Sequence, residues 1–355
     1  MLARIAQELF WLGRDLVRAE QTARMLDGAF HADVVGAGSR GVALSWEGVL
    51  AVIGAKPPAP GEETGEEPAA DPSERDTERG RADVTAGAVV LAGGTGPLGR
   101  AEIAPLLTLE TSSPASVVSC VYRGRERART LRDVISTEMW EALNGFYLSL
   151  GRYDLQAALA TGPYSVYQEV KERCGLFWGL AERTMLADEG RAFLQAGGRI
   201  EAADMVLRML RVSVPQGMSR AHAVEDDPDS HQGEALALLQ AVGGFQAYRR
   251  AVRQAPELRR VVRFLLYERT YPGSVASSLD ELREALERAD VAPRSSPPVL
   301  RLGRLMADLE LQRRMPEQIS SLDDLLAQVQ EELALIDRAI DERYFAVAAL
   351  VAVHV

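Results

Sequence analysis

Apolar residues recur along most of this chain with the period of a helix. Leu2, Ile5, Leu9, Leu12, Leu16, Ala19, Ala23 and Leu26 follow a 3-4 spacing that puts all eight on one stripe of a long N-terminal helix, with Arg4, Arg14 and Arg18 on its opposite face. The same period predicts helices over roughly 115–150, 165–187, 189–212, 232–254, 256–268, 273–290, 298–314 and 320–350. Gly162-Pro163, Pro215-Gln216-Gly217, Asp226-Asp227-Pro228 and Pro297-Pro298 separate them, as residues that cannot continue a helix. Val89-Val90-Leu91 is the best strand candidate and is too short and isolated to define a sheet. The predicted class is all-α.

The pattern also echoes itself. At an offset of 184, Leu9, Leu12, Gly13, Leu16, Ala19, Glu20, Ala23, Arg24 and Leu26 align with Phe193, Ala196, Gly197, Ile200, Ala203, Asp204, Leu207, Arg208 and Leu210. At an offset of 158, Leu107, Glu110, Pro114, Ser116, Val117 and Ser119 align with Leu265, Glu268, Pro272, Ser274, Val275 and Ser277. Part of the first echo is common to any two amphipathic helices; the Pro-x-Ser-Val-x-Ser match is not periodic and carries more weight. Together they suggest a duplicated helical unit, residues 1–185 and 186–355, packed as an elongated helical bundle of two related halves.

One segment stands apart. Lys56 to Asp83 holds five prolines, nine acidic and four basic residues, and no apolar side chain larger than alanine. Such a segment cannot bury enough surface to offset its ordering entropy, so a disordered acidic insertion of about 54–100 is expected after the second helix. It supplies −5 of a net charge of −11. With a pI near 5.1, generic attraction to phosphate backbones or anionic membranes is disfavoured, and neither nucleic acid nor membrane is an expected partner. Cys120 and Cys174 are the only cysteines and form no CxxC pair, which argues against a disulfide framework or thiolate zinc site. No apolar run suits a signal peptide or a membrane span, and a soluble cytoplasmic protein is expected. Arginine outnumbers lysine 38 to 2, which lowers the weight of any single arginine.

Familiar catalytic signatures are weak. Gly94-Thr95-Gly96-Pro97-Leu98-Gly99 satisfies GxGxxG, but Pro105 interrupts the next stretch and no βα repeats surround it, so a loop is the better reading than a dinucleotide site. No GxxxxGK[ST] or GxSxG occurs. His222 and His231 flank Glu225, Asp226, Asp227 and Asp229, a cluster better read as a solvated loop than a metal site. No cofactor and no metal are expected.

Two polar constellations are more informative. On a helix, Arg125, Arg129 and Arg132 would share a face, and three guanidinium groups so spaced repel unless carboxylates such as Glu126 and Asp133, or a bound anion, neutralise them. Glu138, Trp140, Glu141 and Asn144 continue that segment. Glu20 and Asp204 occupy equivalent places beside the two apolar stripes, where packed helices could gather them with Arg18 or Arg24. A salt-bridge network and a ligand pocket both remain open as readings.

Leu9-Phe10-Trp11-Leu12-Gly13-Arg14, Arg18-Ala19-Glu20-Gln21-Thr22-Ala23-Arg24, the run from Arg125 through Met139-Trp140-Glu141, and Gly179-Leu180 with Thr184 to Gly190 resemble the bacterial alpha-E family. That family is an all-helical domain named for a Glu-Arg motif, and the resemblance spans nearly the whole chain outside 54–100. It implies a setting beside, or fused to, circularly permuted ATP-grasp proteins, often with transglutaminase-like proteins nearby, and hence amide or peptide bond formation on a peptide or amino-acid substrate. The chain departs from the motif: the expected Glu-Arg reads Val17-Arg18 in the first copy and Glu201-Ala202 in the second. If Arg18 and Glu201 meet, one composite pair survives.

The leading expectation is a substrate-binding or accessory component of an ATP-grasp-linked ligase system, with Arg18, Arg24, Glu201, Arg125, Glu126, Arg129, Arg132 and Glu138 in its binding site. An enzyme in its own right would use Glu20 or Asp204 as general base on an amine. A non-catalytic scaffold for partner proteins is the third alternative.

Overall fold

The computed structural model describes residues 1–35, 45–55, 98–154, 157–158, 164–214, 228–315 and 321–346. Among the described residues there are thirteen α-helices and no strand. They are α1 (Ala3–Val35), α2 (Trp46–Ile53), α3 (Arg100–Thr108), α4 (Val117–Thr130), α5 (Thr137–Leu150), α6 (Tyr164–Thr184), α7 (Glu189–Ser213), α8 (Pro228–Ala241), α9 (Phe245–Val252), α10 (Leu258–Tyr267), α11 (Val275–Ala289), α12 (Pro297–Arg314) and α13 (Leu322–Ile340). A π-helical turn, Asp341–Phe345, continues α13. Most of the segment expected to be an acidic insertion, the Val89-Val90-Leu91 strand candidate and His222 lie outside the described residues.

The centre of the molecule is the crossing of α1 and α7. The backbones come so close that a Cβ on Gly13 would lie 2.2 Å from the Leu194 carbonyl oxygen, and one on Gly197 would lie 1.8 Å from that of Phe10. Glycine at both positions is what lets the helices touch. The contact is reciprocal: Gly197 and Leu194 each stand 184 residues beyond Gly13 and Phe10. Helix α4 packs on α1 as α11 packs on α7. Each outer helix is started by an equivalent serine, Ser116 accepting from the Ser119 N–H and Ser274 from that of Ser277. The eight-residue stripe of α1 is buried at Leu9, Leu12, Leu16, Ala19, Ala23 and Leu26, while Leu2 is exposed.

The structure corrects several expectations drawn from periodicity. The segment 115–150 is two helices, because Ser136 caps α5 by accepting from the Met139 N–H and ends any continuous run. The segment 232–254 breaks at Gly243, whose φ of 68° belongs to the left-handed region. Pro105 lies inside α3 and does not end it; Ile103, Ala104 and Leu107 hold that helix against the core. The face of α1 carrying Arg14 and Arg18 is not open to water: α7, α4, α6 and α8 surround this helix, and Arg14 is buried.

Candidate functional site

One turn beyond the glycine contact, the α1–α7 crossing becomes ionic. Glu201 of α7 is fully buried, and both its oxygens are occupied: Arg14 Nε donates to Oε2 at 2.9 Å and Arg18 Nε to Oε1 at 2.6 Å. Arg14 extends Nη1 to both oxygens of Asp337 on α13, each at 2.9 Å, and its guanidinium lies 4.7 Å from the centre of the Trp11 ring. Burial alone would raise the Glu201 carboxyl, but Arg18 and Arg14 outweigh it and hold it at about 2. Attraction to Glu201 likewise raises Arg18, and Arg14, which burial would lower, is raised by Asp337 and Glu201. Glu201 therefore stays ionised and cannot serve as a base near neutral pH.

Arg18 is held by one edge only. Among the described residues its two Nη groups have no hydrogen-bond partner, and the side chain keeps 28% of its exposure. A second layer braces the helix that carries it. Asp15 accepts from Arg123 Nε and Nη2 at 3.0 and 2.8 Å and from Arg127 Nε at 3.2 Å, and Arg127 Nη1 reaches Glu8 at 2.9 Å.

The remaining candidates fall into separate groups. Glu20 accepts from Arg24 Nε and Nη2 at 3.0 and 2.7 Å. Asp204 pairs with Arg208 Nη2 at 2.7 Å and accepts from Gln330 Nε2 at 3.2 Å. Each carboxylate is largely buried beside an arginine four residues on, yet the two share no partner. Arg125 donates to Asn144 at 2.8 Å and to Glu126 at 2.5 Å, and Arg129 meets Glu126 at 2.8 Å. Arg132 lies beyond the end of α4, so the three arginines do not form one helical face. Arg125 and Arg132 converge instead on the Trp140 ring of α5, at 5.7 and 4.1 Å. Asp133 and Glu138 are exposed.

Sequence reasoning missed Arg14, Asp337, Asp15, Arg123 and Arg127 as members of the network. By periodicity Arg14 faces water, and Arg123 and Arg127 flank the trio that the expected helical face selects. The i, i+4 spacing of Arg123 and Arg127 is the available signal.

Other motifs do not build sites. At the end of the glycine motif, the N–H of Leu98 donates to Glu47 and that of Gly99 to Glu102, so carboxylates occupy the donors a phosphate would need. Gly94 and Gly96 lie outside the described residues, as does the side chain of His231. Cys120 and Cys174 are both buried, which raises the first thiol and raises the second well above its usual range; neither suits a nucleophile. Among the described residues no group of three His, Cys, Asp or Glu could hold a metal, and no helix is long and apolar enough to cross a membrane.

A family model described as a predicted alpha-helical domain with a conserved ER motif matches residues 1–345. The chain belongs to the Alpha-E family. Comparison with curated proteins and with solved structures returns no match. In this Alpha-E chain the two places where the resemblance puts the motif supply one residue each: Arg18 from α1 and Glu201 from α7 form a single Glu-Arg pair across the crossing, while Val17 and Ala202 stand where its counterpart would be.

Proposed function

We propose that this Alpha-E protein is a substrate-binding or accessory component of an ATP-grasp-linked system that forms peptide or amide bonds, with a circularly permuted ATP-grasp protein as its partner and a transglutaminase-like protein as a further associate. The single observation that favours it is the state of Arg18. A fully buried carboxylate fixes the Nε edge of its guanidinium, and the Nη edge has no partner among the described residues. A guanidinium positioned in this way is suited to receive a carboxylate or acyl phosphate, because its donors match two oxygens. The partnership itself comes from the family setting that the resemblance implies. The reciprocal contacts of α1 and α7, and the matched serine caps, are what two copies of one helical unit would produce; we read residues 1–185 and 186–355 as those copies.

A binding role is favoured over autonomous catalysis by the occupancy of the carboxylates. Glu201 is held by two arginines, Glu20 by Arg24, and Asp204 by Arg208 and Gln330. The test is reconstitution with the ATP-grasp partner. Adding this chain should raise the rate of ATP-dependent ligation, and Arg18→Lys should raise the KM for the carboxylate substrate with kcat little changed, since Lys cannot keep the two-edged geometry. Ligation that proceeds equally well without this chain would overturn the proposal.

A further inference from the structure

The segment from Phe245 to Arg263, which is α9, the first turns of α10 and the link between them, carries six arginines, Arg249, Arg250, Arg253, Arg259, Arg260 and Arg263, against one carboxylate, Glu257. Its net charge is +5 in a chain of −11. All of the arginines but Arg260 are exposed, and only Arg260 has an ion pair among the described residues, with Glu257 at 2.7 Å. Arg249 rests over the Phe245 ring at 5.7 Å. The chain's preference for arginine over lysine explains which cation is used here, but not why five of them lack a carboxylate. The exposed Arg283 of α11, by contrast, is answered by Glu287 at 2.7 Å.

By itself this arrangement is electrostatically unfavourable. Arg259 and Arg263 stand four residues apart on one face of α10, a spacing at which like charges repel. Arg259 and Arg260 lie in the first turn of that helix, the end that favours anions, and Glu257 at the N-cap makes no side-chain cap bond there. Arg253 ends α9 with a φ of 57°, a left-handed conformation that glycine adopts more readily. Burial does not require these residues. The offset of 158 sets α10 against α3: Ile103, Ala104 and Leu107 are buried at the places of Val261, Val262 and Leu265, whereas Ala101, Glu102 and Pro105 stand where α10 has Arg259, Arg260 and Arg263.

We propose that this surface docks a carboxylate-rich segment of a partner protein, whose side chains supply the anions that the fold does not. Each unpaired guanidinium offers donors that match the two oxygens of a carboxylate. Extended polyanions fit less well. Outside the segment the chain carries −16, the −11 of the whole less this +5, so a nucleic-acid duplex or an anionic bilayer reaching past the patch meets like charge within a Debye length of about 8–10 Å. A bilayer surface is also held by inserted apolar side chains, and the exposed large apolar residues among the described ones lie outside this segment. Helices α9 and α10 are about 12 and 15 Å long, a span that an extended segment of about ten residues covers. The surface is separate from Arg18 and Glu201, and the inference stands whether or not the chain serves a ligase.

The experiment is fluorescence anisotropy of the full chain with a labelled oligoglutamate of about ten residues, its oligoglutamine counterpart and a DNA duplex of about 20 base pairs, with co-sedimentation on phosphatidylcholine vesicles containing about 30% phosphatidylserine. The oligoglutamate should bind and the oligoglutamine should not, with an affinity that falls as salt is raised. Arg253→Gln, Arg259→Gln and Arg263→Gln together should weaken that binding about tenfold or more. Arg183→Gln, Arg294→Gln and Arg338→Gln together remove the same charge at exposed positions elsewhere that have no ion pair among the described residues, and should leave binding within about twofold of wild type. Because the patch arginines repel one another, the first triple variant should melt no lower than wild type; a marked loss of stability would show that they serve the fold instead. Absence of oligoglutamate binding at about 1 mM would overturn the proposal, as would equal weakening by both triple variants or tighter binding of the duplex or the vesicles.

Discussion

Arg18 and Glu201 are 183 residues apart in the chain, yet Arg18 Nε donates to Glu201 Oε1 over 2.6 Å inside the molecule. The helices can bring these groups together because Gly13 and Gly197 let their backbones touch one turn earlier. The ion pair and the glycine contact are thus one feature, whose parts separate substitutions can distinguish.

Replacing Glu201 with Gln keeps its shape and removes its charge. Arg14 would retain Asp337, but Arg18 would lose its one ionic partner in the crossing, and its half-buried guanidinium would be left without the carboxylate that holds it. Breaking a buried pair from one side costs about 3–5 kcal/mol, whereas Glu287→Gln, in the exposed Arg283–Glu287 pair, should stay within about 1 kcal/mol of wild type. Urea unfolding of the two variants measures the difference. Equal costs would mean that the interior pair is no more demanding than a surface one.

Val17 and Ala202 invite a second experiment. If α1 and α7 are related by the reciprocity of their glycine contacts, position 17 faces position 202 as 201 faces 18, and Val17 already lies 3.4 Å from a Cβ built on Gly198. Val17→Glu and Ala202→Arg should each destabilise, and the double variant should recover about 0.5–3 kcal/mol relative to the sum. A double-mutant cycle in urea reads this directly. Strict additivity would show that the two halves are not arranged as copies of one unit.

The glycines themselves give the sharpest contrast. Gly13→Ala and Gly197→Ala would drive a methyl group into a facing carbonyl at 2.2 and 1.8 Å, and only separation of the central helices could relieve it. Each should cost more than about 3 kcal/mol, at the upper end of overpacking effects. Gly303→Ala in α12 meets nothing within 4 Å and should stabilise by up to about 1 kcal/mol through helix propensity alone. Calorimetric melting of the three variants tests the ordering.

Much of the all-helical fold can be read from periodicity because burial on one stripe is a local property of sequence. The α1 stripe and the offset that pairs Gly13 with Gly197 are examples. The site is legible only in part. Arg18 and Glu201 can be named as halves of a motif, but their union depends on a long-range crossing. Arg14 reads as solvated because a polar residue on a helix enclosed by neighbours looks, in sequence, like one facing water; its partner Asp337 arrives from α13, 323 residues away. Arg123 and Arg127 escape notice because one long helix over 115–150 aligns a different arginine trio, and only the cap at Ser136 shows where that helix must end.

Stability should fall in acid, and two carboxylates set much of the slope. Burial would raise Asp290, but the Arg343 guanidinium, the Ala292 N–H and the hydroxyls of Ser296 and Tyr344 lower it far below its usual value, as Arg18 and Arg14 hold Glu201 at about 2. Both groups remain ionised in the folded chain at pH values where the unfolded chain takes up protons. Their contribution is complete above the unfolded carboxylate range, declines as pH drops below about 4.5, and is lost as pH passes the folded values. A shift from 4.5 to about 2 makes the Glu201 contribution on the order of 3 kcal/mol. Asp280 acts in the opposite sense, since burial raises it, whereas Glu310, lowered by its hydrogen bonds from Arg313 and Arg314, and Glu169, which burial would raise but Tyr153 and Arg173 lower, act in the same sense as the first two. Urea unfolding between pH 7 and 3 should show stability falling toward acid, and Asp290→Asn should flatten that fall while lowering stability at pH 7. A variant with the wild-type slope would show that Asp290 is not held by Arg343 and Tyr344 as the geometry requires.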